Sequence, residues 1–126
     1  DPAQIEQSIR EGRIGIMPGW QELLDHDDVT NVVAYIKTLP SDAGSTEHPG
    51  QPLYTQTCIA CHGGDGSGNL SLGAPDITAG VWTYGGTDEA LRETIATGRS
   101  GNMPPFDKRL DDVQVRMLVA WLTRKD

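Results

Sequence analysis

Cys58-Ile59-Ala60-Cys61-His62 is the stretch on which the reading of this chain turns. Two cysteines separated by two residues and followed at once by histidine form the attachment pattern of c-type haem. Each thiol can add across one vinyl group of the porphyrin. A helical turn sets both sulfurs against the same edge while His62 comes under the iron. A thioredoxin-like pair shares the CxxC spacing, but it calls for a preceding strand within a βαβ frame and has no use for the adjacent histidine. A zinc site needs further strong ligands at metal spacing, and the chain has no other cysteine pair to supply them. The motif predicts one covalent haem c per chain, bound through Cys58 and Cys61.

With 126 residues there is room for one ordinary domain, or for a small domain and a fragment. A covalent macrocycle becomes part of the apolar core, so the low aromatic content is no obstacle to burying enough surface. Both cysteines are used by the motif, which leaves none for a disulfide framework. The sequence carries no signal peptide and no apolar run long enough to span a bilayer, so no membrane insertion is expected of this piece. A formal net charge of −8 argues against nucleic acid or an anionic membrane surface as partner, and favours a protein with a basic patch.

Helical punctuation recurs along the chain. Pro2 opens an amphipathic stretch with Ile5 and Ile9 that Gly12 ends, and Val29, Val32, Val33 and Ile36 form one face of a helix capped by Asp27 or Asp28 and stopped by Pro40. Residues 41–50 are small and polar and read as a linker. A helix from Gln51 through Leu53, Tyr54 and Thr57 carries the haem motif at its end. The glycine-rich run that follows forces a loop, in which Asp65, Ser67 and Asn69 imitate a calcium loop until Leu70 and Asp76 stand where glycine and glutamate are required. Thr87 caps a helix with Leu91 and Ile95 inward, ending at Gly98. A final helix runs from about Asp111 with Val115, Leu118, Val119 and Leu122 on one face. No strand signal is evident, and the expected fold class is all-α.

The chain also repeats itself. A shift of 86 positions lays Ile9, Gly12, Arg13, Gly15, Met17 and Pro18 on Ile95, Gly98, Arg99, Gly101, Met103 and Pro104. The same shift, with no gap, lays Leu24, Asp25, Val29, Val33 and Ala34 on Leu110, Asp111, Val115, Val119 and Ala120. The haem motif of the first copy would fall before residue 1. Residues 1–40 thus read as the back half of a domain, followed by a linker at 41–50 and a complete haem domain at 51–126.

CIACH, the Gly73-Ala74-Pro75-Asp76 segment, the GRSGNMPPF loop and a closing helix with Trp121 together resemble a class I cytochrome c domain. The doubled arrangement, GRIGIMPGW and DDVTNVVAYIKTL followed by a second haem domain, resembles the dihaem cytochrome c subunit of cbb3-type haem-copper oxidases, the CcoP or FixP kind. The resemblance implies a periplasmic module whose full-length form carries a membrane anchor and a first haem. It makes His62 the proximal iron ligand, with its other N–H held by the carbonyl of Pro75, and Met103 the distal ligand. Trp82, Tyr84 and Arg99 are candidate donors to the haem propionates, set against plain packing or a solvated charge. It also implies that the haem-bearing helix packs against Leu118, Trp121 and Leu122.

Met117 reads as core, and His26 and His48 as solvated surface. Arg124 and Lys125 complement a helix C-terminus. Met17 is expected not to bind iron, because Met103 is the methionine tethered close to the motif. The Val29 to Ile36 stripe is then free to pack on the second unit or to self-associate. With both axial positions filled by protein, one-electron transfer is the expected activity, toward a terminal oxidase or as an independent soluble shuttle. Partners would be other oxidase subunits or a soluble cytochrome c. A haem enzyme or gas sensor would need an open distal position.

Overall fold

The computed structural model describes residues 1–124 and divides the chain into two compact units, Asp1–Ile14 with Gly101–Asp126, and Gly15–Ser100. Lys125, and its expected role at the last helix end, lies outside the described residues. The units are not the two repeats. The chain is helix-rich, with α1 (Pro2–Glu11), α2 (His26–Ile36), α3 (Gln51–Thr57), α4 (Ile59–His62), α5 (Asp88–Thr97) and α6 (Asp112–Thr123). It also has two short strands, β1 (Arg13–Met17) and β2 (Arg99–Met103), that pair as a two-stranded sheet. The all-α expectation is corrected at this point. Both strands lie in the GRxGxMP segments, where alternation is too short and too glycine-rich to stand out, and backbone pairing rather than side-chain pattern makes them.

In the larger unit α2 is capped by Asp25 rather than by Asp27 or Asp28. Asp25 accepts from the Asp28 N–H at 2.8 Å while Asp28 accepts from the Asp25 N–H at 3.2 Å, a reciprocal capping box. Its stripe is not left free for self-association. Val29, Val32, Val33, Tyr35 and Ile36 are buried with Leu24, Leu39, Tyr54, Cys58, Leu91 and Ile95 in one core, α2 packing on both α3 and α5. Residues 41–50 are not a loose tether either. Tyr35 Oη donates to the Asp42 carbonyl, Gly44 N–H donates back to Tyr35 Oη, and the His48 ring meets Tyr35 edge-on at 5.2 Å. His48 is therefore half-buried against an aromatic ring rather than solvated, and its Nδ1 accepts from the Gly50 N–H. Gly50 lies so close to α2 that a Cβ there would stand 2.2 Å from the Asn31 carbonyl oxygen. His26 is exposed, as expected.

In the smaller unit, Asp1 caps α1 and Asp111 caps α6, the latter by a reciprocal box with Gln114. The two helices bury Ile9 against Val115 and Val119, with Ile5, Phe106 and Leu110 around them. The expected seat of α6 is corrected here. The face that α1 covers is Val115 and Val119, while Leu118, Trp121 and Leu122 are exposed, Trp121 by 58 % with Arg124 stacked over its ring. Met117, expected in the core, is exposed as well.

These burials set a contrast. Ile9→Ala should cost about 2–5 kcal/mol in chemical denaturation, and Trp121→Ala less than about 1 kcal/mol. Equal losses for the two would mean that the Trp121 ring is covered.

Candidate haem site

The larger unit holds the CxxCH motif and nearly every residue expected around it. Tyr54 in α3 is 1 % exposed, and its carbonyl accepts the Cys58 N–H at 2.8 Å as α3 ends. The chain then restarts as α4, with the His62 N–H donating to the Cys58 carbonyl at 3.0 Å. One break between two short helices sets Cys58 inward and leaves Cys61 exposed. Both thiols are free.

Burial pushes the Cys58 thiol above its ordinary range, opposed by the Thr57 hydroxyl 3.3 Å from its sulfur, so Cys58 is a neutral thiol at pH 7. Burial likewise raises the Tyr54 phenol, which stays protonated and donates to the Gly63 carbonyl at 2.6 Å.

His62 is buried, and its Nδ1 lies 3.0 Å from the Pro75 carbonyl oxygen. A carbonyl only accepts, so Nδ1 carries the proton and Nε2 keeps its lone pair for a metal. The glycine-rich loop folds back to bring Pro75 there. Gly68 N–H donates to the His62 carbonyl at 2.8 Å, Asn69 and Ala74 exchange two backbone bonds, and Ile77 N–H donates to the Gly66 carbonyl. Gly68 has φ +88, and a Cβ on it would stand 2.6 Å from the Ala74 carbonyl oxygen, so no other residue allows this approach. Asp65 and Asp76 tie the loop locally. Asp65 accepts from the Ser67 N–H and Asp76 from the Thr78 hydroxyl and N–H, contacts that hold both carboxyls below the usual range.

Trp82 packs against the core of the same unit, with Gly86 pressed on its indole. Arg99 stacks over the Tyr84 ring at 4.4 Å, and its Nε donates to the Thr94 hydroxyl at 3.1 Å, leaving further guanidinium N–H groups for an anion. Met103 belongs to the smaller unit and is 39 % exposed. Met17, set aside from the sequence, belongs to the larger unit, half-buried against the core that includes Cys58.

Two free thiols and an imidazole with one nitrogen held and the other unengaged, with a guanidinium in the same compact unit, are a donor set that fits haem c. The family model for cytochrome c oxidase, cbb3-type, subunit III, matches residues 45–122. This chain belongs to that family. Among curated proteins it is 33 % identical over 119 residues to the cbb3-type cytochrome c oxidase subunit FixP of Bradyrhizobium diazoefficiens, covering 92 % of this chain and 39 % of the relative. It is 37 % identical over 111 residues to the subunit CcoP of Azospirillum brasilense, covering 82 % and 37 %. With CcoP of Cereibacter sphaeroides it shares 33 % over 117 residues, covering 89 % and 40 %. The chain thus spans about two-fifths of the length of these relatives. Among the described residues no helix is long and apolar enough to cross a membrane.

The two thiols should differ in the haem-free chain. Iodoacetamide should label Cys61 several-fold faster than Cys58, because Cys61 is exposed and Cys58 is buried with a raised pKa. Labelling of Cys58 should gain speed only above the ordinary thiol range of pH. Equal rates, or a faster Cys58, would contradict this placement.

Proposed function

We propose that the chain is a one-electron relay module of a cbb3-type oxidase, carrying one haem c bound through Cys58 and Cys61. The observation that carries the reading is on His62, the residue after the second thiol: its Nδ1 lies 3.0 Å from the Pro75 carbonyl oxygen, so that Nε2 would be the nitrogen offered to the iron. Bound haem supplies a single iron that cycles between two oxidation states. What this chain's residues do is fix its surroundings. Cys58 and Cys61 anchor one edge, and the buried Tyr54 bond to Gly63 holds the turn in which they sit. The Pro75 carbonyl orients the imidazole and makes it a stronger donor. Arg99, with Trp82 and Tyr84, offers N–H and O–H groups to the propionates.

A methionine sulfur, expected from the sequence to be that of Met103, would hold the iron together with His62. A soft thioether joined to imidazole in the ligand set would favour ferrous iron and would keep oxygen and peroxide from it. The module is accordingly a carrier rather than an enzyme, with catalysis left to the rest of the complex. Membership of the cbb3-type family supports the oxidase as the electrons' destination and the periplasmic face as the location. The partners are then other oxidase subunits or a soluble cytochrome c, and the charge of −8 favours a basic docking surface on them.

Intact mass under denaturing conditions should exceed that of the polypeptide by one haem, and Cys58→Ala or Cys61→Ala should leave a single thioether or no holoprotein. The ferrous holoprotein should bind carbon monoxide weakly at neutral pH. A bare polypeptide mass, or tight carbon monoxide binding, would contradict the relay.

A further inference from the structure

The repeat and the fold disagree about which halves belong together. Met17, Trp20 and α2 belong to the first copy, and Met103, Phe106 and α6 are their counterparts in the second. In the larger unit the first copy's back half is seated on the second copy. Trp20 N–H donates to the Ile95 carbonyl at 2.9 Å, Gln21 N–H donates to the Ala96 carbonyl at 3.2 Å, and α2 packs on α5 and α3. In the smaller unit the relation is reversed residue for residue. Phe106 N–H donates to the Ile9 carbonyl at 2.9 Å, Asp107 N–H donates to the Arg10 carbonyl at 3.3 Å, and α6 packs on α1. The glycines that end α5 and α1 repeat the exchange. A Cβ on Gly98 would stand 2.4 Å from the Met17 carbonyl oxygen, and one on Gly12 would stand 2.3 Å from that of Met103.

Burial along the two equivalent helices shows what each lacks. Val29 and Val33 of α2 correspond to Val115 and Val119 of α6, and all four are buried. Val32, Tyr35 and Ile36 are buried in the unit that contains α3, with Tyr35 5.3 Å from the Tyr54 ring. Their counterparts Leu118, Trp121 and Leu122 are exposed. The Arg13 side chain, the counterpart of Arg99, has its Nη2 buried with no partner. In the smaller unit α6 thus packs on α1, while in the larger unit the segment that carries Tyr54 and Cys58 is covered by the first copy's back half.

We infer that the two repeats exchange their back halves within this chain, so that Met17 rather than Met103 supplies the sulfur opposite His62. The inference rests on the covalent haem reading above. Met17 shares a compact unit with His62 and is half-buried on the core that contains Cys58, where a ligand sulfur must be shielded from water. Close tethering of Met103 to the motif, which favours it on effective concentration, is outweighed because the seat on α5 and α3 is already taken by the Trp20 and α2 segment. Exchange of equivalent elements needs no new contacts, since each half meets the surface its own copy would have offered.

The test uses the haem-loaded full chain with Met17→Leu and Met103→Leu, which keep apolar bulk. Met17→Leu should abolish the weak near-infrared charge-transfer band of ferric iron bound by thioether and lower the reduction potential, while Met103→Leu should leave both unchanged. Loss of the band in Met103→Leu, or its survival in Met17→Leu, overturns the exchange. Unmodified ferrous protein labelled on its methionine methyls covers the case in which a variant fails to fold. The one methyl shifted strongly upfield by the porphyrin ring current should belong to Met17, and its assignment to Met103 overturns the inference. A chain whose intact mass shows no haem refutes the haem reading itself, and this inference with it.

Discussion

Tyr54 sealed against Tyr35 is the contact on which the rest depends. The ring centroids lie 5.3 Å apart, both side chains are almost wholly buried, and each hydroxyl meets a backbone partner, Gly63 for Tyr54 and both Asp42 and Gly44 for Tyr35. An aromatic pair of this kind buries a large apolar area while keeping its polar ends satisfied. It fastens the short helix before the CxxCH motif to α2, which a helix of seven residues could not achieve by its own propensity. It also folds residues 41–50 back, through the His48 ring against Tyr35. Cys58, one turn beyond Tyr54, inherits its buried position from this seat.

From that anchor the imidazole is placed in two steps. The Cys58 and Ile59 carbonyls accept the bonds that wind α4, and the glycine loop then returns to present Pro75 to His62. Both steps are made by backbone groups, so the geometry around the His62 imidazole needs few particular side chains. What it does need is glycine where the loop passes over Ala74 and Pro75.

Much of this is legible in the residue order. CIACH named the cofactor chemistry, Thr87 and Asp111 marked helix starts that carry caps in the structure, and the GRxGxMP repeat revealed two copies. The strands are not legible because they consist of those same glycine-rich segments paired through backbone. His48 escaped because its partner Tyr35 lies thirteen residues before it, beyond any local pattern. The exchange of halves was hidden for a deeper reason. Val29, Val32, Val33 and Ile36 present the same stripe as Val115, Leu118, Val119 and Leu122, so either helix satisfies the surface of α5 and α3. Repetition encodes the interface twice and leaves its pairing to the chain connection.

The central claim is that the haem-bearing helix is covered by the first copy's helix, and its most direct test is a through-space proton contact in the ferrous, diamagnetic holoprotein. Nuclear Overhauser spectra should show cross-peaks between the Tyr54 and Tyr35 rings, whose centroids are 5.3 Å apart. Cross-peaks from Tyr54 to the Trp121 indole, with none to Tyr35, would contradict the account.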